Sequence, residues 1–193
     1  SENSNNTKVS SALINIGKIY LNDKNYTQAE AIFTKIVLDY PDSEQREVAI
    51  QLMKSVYEDQ GNLAGYTVWL NKNNIDYSQQ ELDSTFYAVA LEAYEVEESQ
   101  RDCAKVIKLF KDYLSNVSQP VNYAEANYYI AYCYDKQKDY SDAITFYGNV
   151  IDRPNNKHIE EALYRSSQIN FHVLKDYNGA LSNFASLEKI TSN

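Results

Sequence analysis

The sequence contains little glycine or proline, the residues on which tight turns, flexible linkers and phosphate-binding loops depend. It has five glycines and three prolines in 193 residues, a scarcity that favours long helices joined by short polar turns. It contains no glycine-rich phosphate loop, GxSxG nucleophile elbow or HExxH motif. It also has no uninterrupted apolar run of about 18 residues. The sequence therefore predicts neither a common catalytic motif nor a direct membrane span.

Positive charge is also in short supply. The chain has 18 Lys and Arg against 27 Asp and Glu, a formal net charge of −9, and no basic cluster. Proteins that bind nucleic acid gain affinity by neutralising phosphates, which needs the opposite sign. A nucleic-acid partner is therefore not expected.

Histidine and cysteine are too sparse to build a metal site. His158 and His172 each lack a second histidine at i+3 or i+4 and a nearby cysteine. Cys103 and Cys133 form no CxxC motif, and both fall on apolar helical stripes, which indicates buried free thiols. A reactive or bridged pair is the alternative. No metal and no cofactor are predicted.

Tyrosine is plentiful, and a tyrosine-rich stretch shows how the chain is organised. Residues 124–150 read as two amphipathic helices on either side of a polar turn. Asp139 stands where its carboxylate can accept the free N–H groups of the second helix, and Asp142 follows within the first turn. The sequence predicts a helical hairpin whose turn Asp139 specifies.

The same pattern returns at nearly constant spacing. Polar residues that open a second helix lie at intervals of 37, 40, 37 and 37 residues: Asn25, Asn62, Asp102, Asp139 and Asp176. One helix pair per interval is typical of an α-solenoid.

In the residues at fixed positions of these repeats, the chain resembles the tetratricopeptide repeat family. The first repeat carries five residues at the family's spacing: Gly17, Tyr20, Ala29, Phe33 and Pro41. The fourth and fifth repeats carry several of them: Ala131, Tyr134, Ala143, Tyr147 and Pro154, one residue early, in the fourth, and Phe171, Ala180 and Phe184 in the fifth. The second and third are degenerate, with bulky or charged residues at small-residue positions: Lys54, Tyr66 and Tyr94. The resemblance implies an all-α fold, a right-handed α-α superhelix of about five helix-turn-helix repeats.

The predicted organisation is one superhelical domain over residues 7–193, preceded by a disordered N-terminus. Residues 1–6, SENSNN, are polar and uniform enough to remain unfolded. The expected repeats span residues 7–43, 44–78, 79–118, 119–155 and 156–191. The final helix has an apolar outer face, so we expect the array to belong to a longer one, or that face to pair with another chain.

In such a superhelix the first helix of each pair lines the concave side, where a partner binds. Groove positions with acidic or tyrosine side chains favour a protein or peptide that presents basic and apolar groups. Seven residues make up this predicted partner-binding groove: Glu58, Glu95, Glu98, Tyr128, Tyr132, Asp135 and Arg165.

Three functions fit the sequence. The first is a non-catalytic scaffold, and its units resemble periplasmic repeat proteins, including those associated with the Tol-Pal system, which implies a bacterial cell envelope. The second is a self-association segment, whose partner is another copy or the remainder of its own chain. The third is a helical-toroid glycosidase built on paired carboxylates; a solvated helix face is the plainer interpretation of the acids concerned, which are Glu92, Glu95, Glu97 and Glu98.

Overall fold

The fold is all-α, as the sequence predicts. In the computed structural model, which describes the backbone of residues 2–191 and the side chains of residues 6–191, no described residue lies in a strand. The helices divide into two compact units, one ending at Tyr77 and the other beginning at Ser78. The sequence predicts one domain across this point, and that continuity stays a prediction.

In the part of the first unit that the structure describes, residues 2–77, there are four helices: α1 (Glu2–Asn22), α2 (Tyr26–Asp39), α3 (Gln45–Asp59) and α4 (Leu63–Lys72). Each packs on its neighbour in the chain, and α3 also returns to contact α1. Gly17 lets α1 approach α2, because a Cβ at this position would overlap the ring of Phe33, which is fully buried. The Trp69 indole N–H donates to the Thr34 hydroxyl at 2.9 Å and ties α4 to α2. Trp69 therefore has the packing role that its helical neighbours indicate.

Over its described residues, 78–191, the second unit contains six α-helices and two short turns of other helix types. The α-helices are α5 (Gln79–Glu95), α6 (Cys103–Asn116), α7 (Tyr123–Gln137), α8 (Tyr140–Ile151), α9 (Ile159–Ile169) and α10 (Tyr177–Thr191). A 3-10 turn, Glu98–Gln100, follows α5, and a π-helical turn, Asn170–Leu174, follows α9. Each helix again packs on its neighbours in the chain, and the core holds large side chains from every pair, including Phe86, Phe110, Tyr147 and Leu163.

The N-terminus differs from the prediction. Helix α1 begins at Glu2, so residues 2–6 are helical where the sequence predicts disorder; Ser1 lies outside the described residues. Extending an existing helix adds one hydrogen bond per residue without a second nucleation cost. The polar composition of this stretch was therefore insufficient to predict that it would remain unfolded.

The turn between α7 and α8 is built by the backbone rather than by Asp139. Asp139 occupies the N-cap position of α8, as predicted, but its side chain makes no capping hydrogen bond. Instead Lys138 adopts a left-handed conformation, with φ 66°, and the Asp139 N–H donates to the Tyr134 carbonyl at 2.9 Å. This closes the end of α7 with the hydrogen bond of a Schellman motif. The interpretation that Asp139 specifies the turn is wrong.

Left-handed residues stand at the same place in four of the five pairs: Lys24, Gly61, Lys138 and Lys175. The third pair lacks one. There, Val96 ends α5 in an extended conformation, and the Arg101 side chain bonds the free carbonyls of Tyr94, at 2.5 Å, and Val96, at 3.1 Å. A side chain thus takes the place of a backbone turn where the repeat pattern is most degenerate.

Candidate functional site

In the second unit, helix α7 meets side chains from the neighbouring first helices on both of its sides. Tyr132 contacts Tyr94 of α5, with ring centres 5.8 Å apart. Asp135 lies 3.8 Å from Arg165 of α9. We call the surface carried by Tyr128, Tyr132, Asp135 and Lys136 of α7 the α7 face. It joins predicted site residues from three repeats on one unit.

At one end of the α7 face, two side chains meet at a single carboxylate oxygen. The Tyr132 hydroxyl donates to Glu98 Oε1 at 2.8 Å, and Lys136 Nζ lies 2.6 Å from the same atom. The hydrogen bond from Lys136, followed by that from Tyr132, lowers the pKa of Glu98. Because Glu98 is exposed, this pair is screened by water and orients Tyr132 more than it stabilises the fold.

A second cation, Arg101, lies over the ring of Tyr94, the α5 residue that contacts Tyr132. The Arg101 guanidinium lies 4.0 Å from the centre of the Tyr94 ring and 5.7 Å from that of Tyr132. Lys136 lies 5.2 Å from the Tyr132 ring centre. Cations at these distances are attracted to the faces of aromatic rings, so this end combines aromatic surface with positive charge.

The middle of the α7 face rests on a histidine. The Tyr128 ring stacks on His158 with 4.0 Å between ring centres and 10° between planes. Burial raises the pKa of the Tyr128 hydroxyl, so the side chain is neutral and half-buried. It therefore offers one edge to a partner while its other contacts hold it still.

His158 itself belongs to a hydrogen-bonded group around Glu125. Glu125 Oε1 accepts the Tyr129 hydroxyl at 2.7 Å, lies 3.4 Å from His158 Nε2 and pairs with Lys157. Burial alone would raise the pKa of Glu125, but the hydrogen bonds from Lys157 and Tyr129, joined by that from Tyr87, bring it down to about 2. This group fastens α7 to the start of α9 and to α5.

At the other end of the α7 face, two acids share one arginine. Arg165 Nε bonds Glu161 at 2.9 Å, whereas Arg165 Nη1 lies 3.8 Å from Asp135 Oδ2. Burial raises the pKa of Asp135, and Arg165 offsets only part of that effect. Asp135 is therefore an ionisable group that its own surroundings leave underpaired.

The remaining predicted residues lie apart from this centre. Glu95 is the last residue of α5; it is exposed and borders an open depression of about 390 Å³ together with Leu91, Glu92 and Val96. Glu58 is on α3 in the other unit, 3.5 Å from Lys54. The four acids weighed as a glycosidase pair are all exposed, as the solvated-face interpretation predicts.

Of the cations around the α7 face, sequence reasoning named Arg165 and missed the others. Three cations lie beside a predicted site residue or beside a residue that holds one in place: Lys136, Arg101 and Lys157. His158, which has no partner along the sequence, stacks on Tyr128. Lys136 stands one helical turn after Tyr132, which is a readable signal. The others come from different helices, and no spacing along the chain brings them together.

Metal and thiol chemistry have few residues to draw on. Among the described residues, no three His, Cys, Asp or Glu side chains gather as metal ligands would. Cys103 and Cys133 are both free thiols; Cys133 is buried, as predicted, and Cys103 is half-buried. No helix within residues 2–191 has the length and apolar character needed to cross a membrane.

Comparison with protein families adds to this geometry. The family model described as tetratricopeptide repeat matches residues 11–43 and residues 125–156. These matches support a tetratricopeptide-repeat protein. They coincide with the helix pairs α1–α2 and α7–α8, which are the first and fourth predicted repeats. The second, third and fifth repeats stay predictions.

Tetratricopeptide repeats generally mediate protein–protein interaction, and proteins built from them are typically non-catalytic scaffolds. The matched segment 125–156 contains all four residues of the α7 face. A search of curated proteins finds no match to the chain.

Proposed function

We propose that this protein is a non-catalytic interaction module whose second unit binds a protein or peptide segment across the α7 face. One observation carries the proposal: side chains of α7 contact residues of the neighbouring repeats on both sides, as in Tyr132 with Glu98 and Asp135 with Arg165. A segment laid across these helices would meet aromatic edges, carboxylates and cations in succession. Such a surface suits a partner with both basic and apolar groups.

The predicted groove residues keep their roles in this proposal. Tyr128 and Tyr132 supply rigid aromatic contacts, Asp135 and Glu98 supply carboxylates, and Arg165 separates two acids. Glu95 extends the surface along α5. Glu58 stands as a separate candidate on the first unit. The cell-envelope location expected from the resemblance to periplasmic repeat proteins is part of the same proposal.

A random peptide library displayed on phage tests the proposal. The full chain is used as bait, enriched peptides are synthesised, and their affinity is measured by fluorescence anisotropy. We expect Tyr132→Ala, and separately Glu95→Lys with Asp135→Lys, to weaken binding at least about tenfold, because each changes side chains that the bound segment would contact. Glu58→Lys, measured alone, tests the first unit.

Asp152→Lys is the matched control. Asp152 is exposed at the end of α8, so this charge reversal changes the net charge without touching the α7 face. Peptides that bind wild type and both groove variants equally would contradict the proposal, as would failure to enrich any peptide. Circular dichroism confirms that each variant is folded.

Self-association is a second candidate because one end of the second unit exposes apolar side chains. Tyr177 is 57 % and Leu181 69 % exposed on α10, and Phe171 and Leu174 are exposed on the π-helical turn. Exposed apolar patches of this kind often mark contacts between proteins. Light scattering over a range of concentrations decides: this candidate predicts a mass that rises with concentration and falls back to that of a monomer in Leu181→Glu.

A further inference from the structure

A small depression lies at the Asp135 end of the α7 face. Its volume is about 190 Å³, below the range of about 300–1,000 Å³ that is usual for small-molecule sites. It is on the scale of one long side chain. Its lining combines charged, polar and aliphatic groups: Asp135, Arg165, Gln168, Ile169, His172 and Val173.

The charges around the depression favour a cation. Glu161 and Asp135 flank Arg165, so the three groups together carry one negative charge. Arg165 is hydrogen-bonded to Glu161 at 2.9 Å, while its 3.8 Å separation from Asp135 is too long for a hydrogen bond. Asp135 therefore keeps acceptor capacity toward the depression, and a second positive group can use it.

Few contacts inside the protein offset the cost of burying the Asp135 carboxylate. Tyr147 of α8 is fully buried, and its hydroxyl makes no hydrogen bond of ordinary length. Its weak donation toward Asp135 lowers the pKa of that carboxyl, but burial has the larger effect, and the net pKa is raised. A half-buried carboxylate with incomplete hydrogen bonding gains strongly from a charged donor.

The walls suit an aliphatic stem. Ile169 is 4 % exposed and forms apolar surface at the base, and Val173 is 43 % exposed at the rim. Lysine and arginine lay their methylene groups along such surfaces while the charged head reaches a polar partner. A purely apolar side chain would fill the same space but would bury Asp135 without a partner, which is costly. An anion would meet net negative charge.

We propose that this depression accepts a single lysine or arginine side chain of the bound segment, with its head group on Asp135 and its stem along Ile169 and Val173. The inference rests on the proposed function, since it names the chemistry of one partner residue on the α7 face. A single capped amino acid suffices to test the depression, so the test does not require the whole bound segment.

The test is a titration of the full chain, followed through backbone amide NMR signals at pH 7.5. The probes are Nα-acetyl-lysine methylamide and Nα-acetyl-arginine methylamide, with Nα-acetyl-norleucine methylamide as the uncharged analogue of the same stem. We expect the two cations to shift the amides of Gln168, Ile169 and Val173. The norleucine probe should bind about 10- to 100-fold more weakly, because a hydrogen bond to a charged group is lost.

Three variants sharpen the result. Asp135→Asn keeps the shape and should weaken lysine binding by the same 10- to 100-fold. Asp152→Asn removes an equal charge from the exposed end of α8 and should leave binding unchanged. Arg165→Gln should have the opposite effect on lysine binding. It removes the competing cation from a partly exposed position and should therefore tighten lysine binding.

Equal shifts with norleucine, or undiminished lysine binding in Asp135→Asn, would overturn the inference. These outcomes differ from failure of the proposed function. Selected peptides that bind the α7 face without a basic residue would sink the inference alone. Lysine that binds beside Asp135 in a chain that enriches no peptide would leave the depression standing and remove the proposed function.

Discussion

At the residue scale, two glycines with the same backbone role have opposite surroundings. Gly17 lies where a Cβ would overlap the buried Phe33 ring, whereas Gly148, inside α8, has no atom within 4 Å of such a Cβ. A helix interior favours alanine over glycine by roughly 0.8–1 kcal/mol. Packing therefore decides whether alanine at position 17 stabilises or destabilises the protein, and helix propensity decides it at position 148.

We predict that Gly17→Ala destabilises the protein by about 1–3 kcal/mol, the usual cost of forcing extra atoms into a packed core. Gly148→Ala should stabilise it by up to about 1 kcal/mol. Urea unfolding measures both, with Trp69 fluorescence reporting the first unit and far-UV circular dichroism the whole chain. The same sign of change in both variants would contradict the assignment of Gly17 as a contact point.

The candidate site shows what residue patterns could and could not predict. Tyr128, Tyr132 and Asp135 share a stripe of one helix, so their common face follows from helical periodicity alone. Their partners Arg165 and His158 lie 30 residues later in each case, on another helix. Pairing across helices depends on how the repeats pack, which the periodicity of a single helix does not contain. The residues of the α7 stripe were therefore predictable, and so was Arg165 as a groove residue, but the pairings of Asp135 with Arg165 and of Tyr128 with His158 were not.

At the element scale, helix pairs could be predicted because their signal is repeated along the chain. The spacing of polar helix starts located α2, α4, α6, α8 and α10. Ser78 and Glu81, three residues apart, have the sequence pattern of a capping box, and both of its hydrogen bonds form at the start of α5. The left-handed conformation of Lys138 has no comparable signal, since lysine is not a typical residue for it. Turn position could be predicted, but turn mechanism could not.

Two aspartates at equivalent helix starts differ in what they bond. Asp102 accepts the N–H groups of Ala104 at 3.0 Å and Lys105 at 3.2 Å. Asp139, at the start of α8, makes no capping bond. We predict that Asp102→Ala costs about 1 kcal/mol, the typical value of an N-cap, and that Asp139→Ala costs less than half as much. Urea unfolding followed by circular dichroism compares the two, and equal costs would contradict the observed difference in capping.

At the scale of the whole molecule, each unit forms a buried core around its own helices. Phe33, Ile36 and Met53 fill that of the first unit, and Phe110, Tyr113 and Tyr147 are among those that fill the second. The two family matches fall one in each unit. The prediction of a single array of five repeats came from the nearly constant interval, and an interval along the chain does not determine how residues on either side of Tyr77 pack. Continuity of the array therefore stays a prediction.

The second unit should lose stability in acid because Glu125 holds three of its helices together. The pKa of Glu125 is about 2 in the folded protein, against an ordinary value of 4.5. A carboxyl with a depressed pKa contributes stability that is complete above its unfolded value and is lost as the pH falls toward its folded value. We therefore predict decreasing stability between about pH 5 and pH 2.

Glu125→Gln isolates this contribution. The variant should be less stable than wild type at pH 7, and the difference between the two should shrink as the pH falls. Urea midpoints at several pH values, read by circular dichroism, give the difference, while Trp69 fluorescence in the first unit serves as an internal reference. A constant difference from pH 7 to pH 3 would show that Glu125 acts through shape rather than charge.

The left-handed residues between paired helices have a consequence for limited proteolysis of the chain. Three of them are exposed lysines, at positions 24, 138 and 175, and trypsin cuts after lysine. At the third junction the corresponding basic residue is Arg101, whose side chain is occupied by two carbonyls. Brief digestion should therefore release fragments that end inside the first, fourth and fifth helix pairs, and their masses would record the repeat spacing directly.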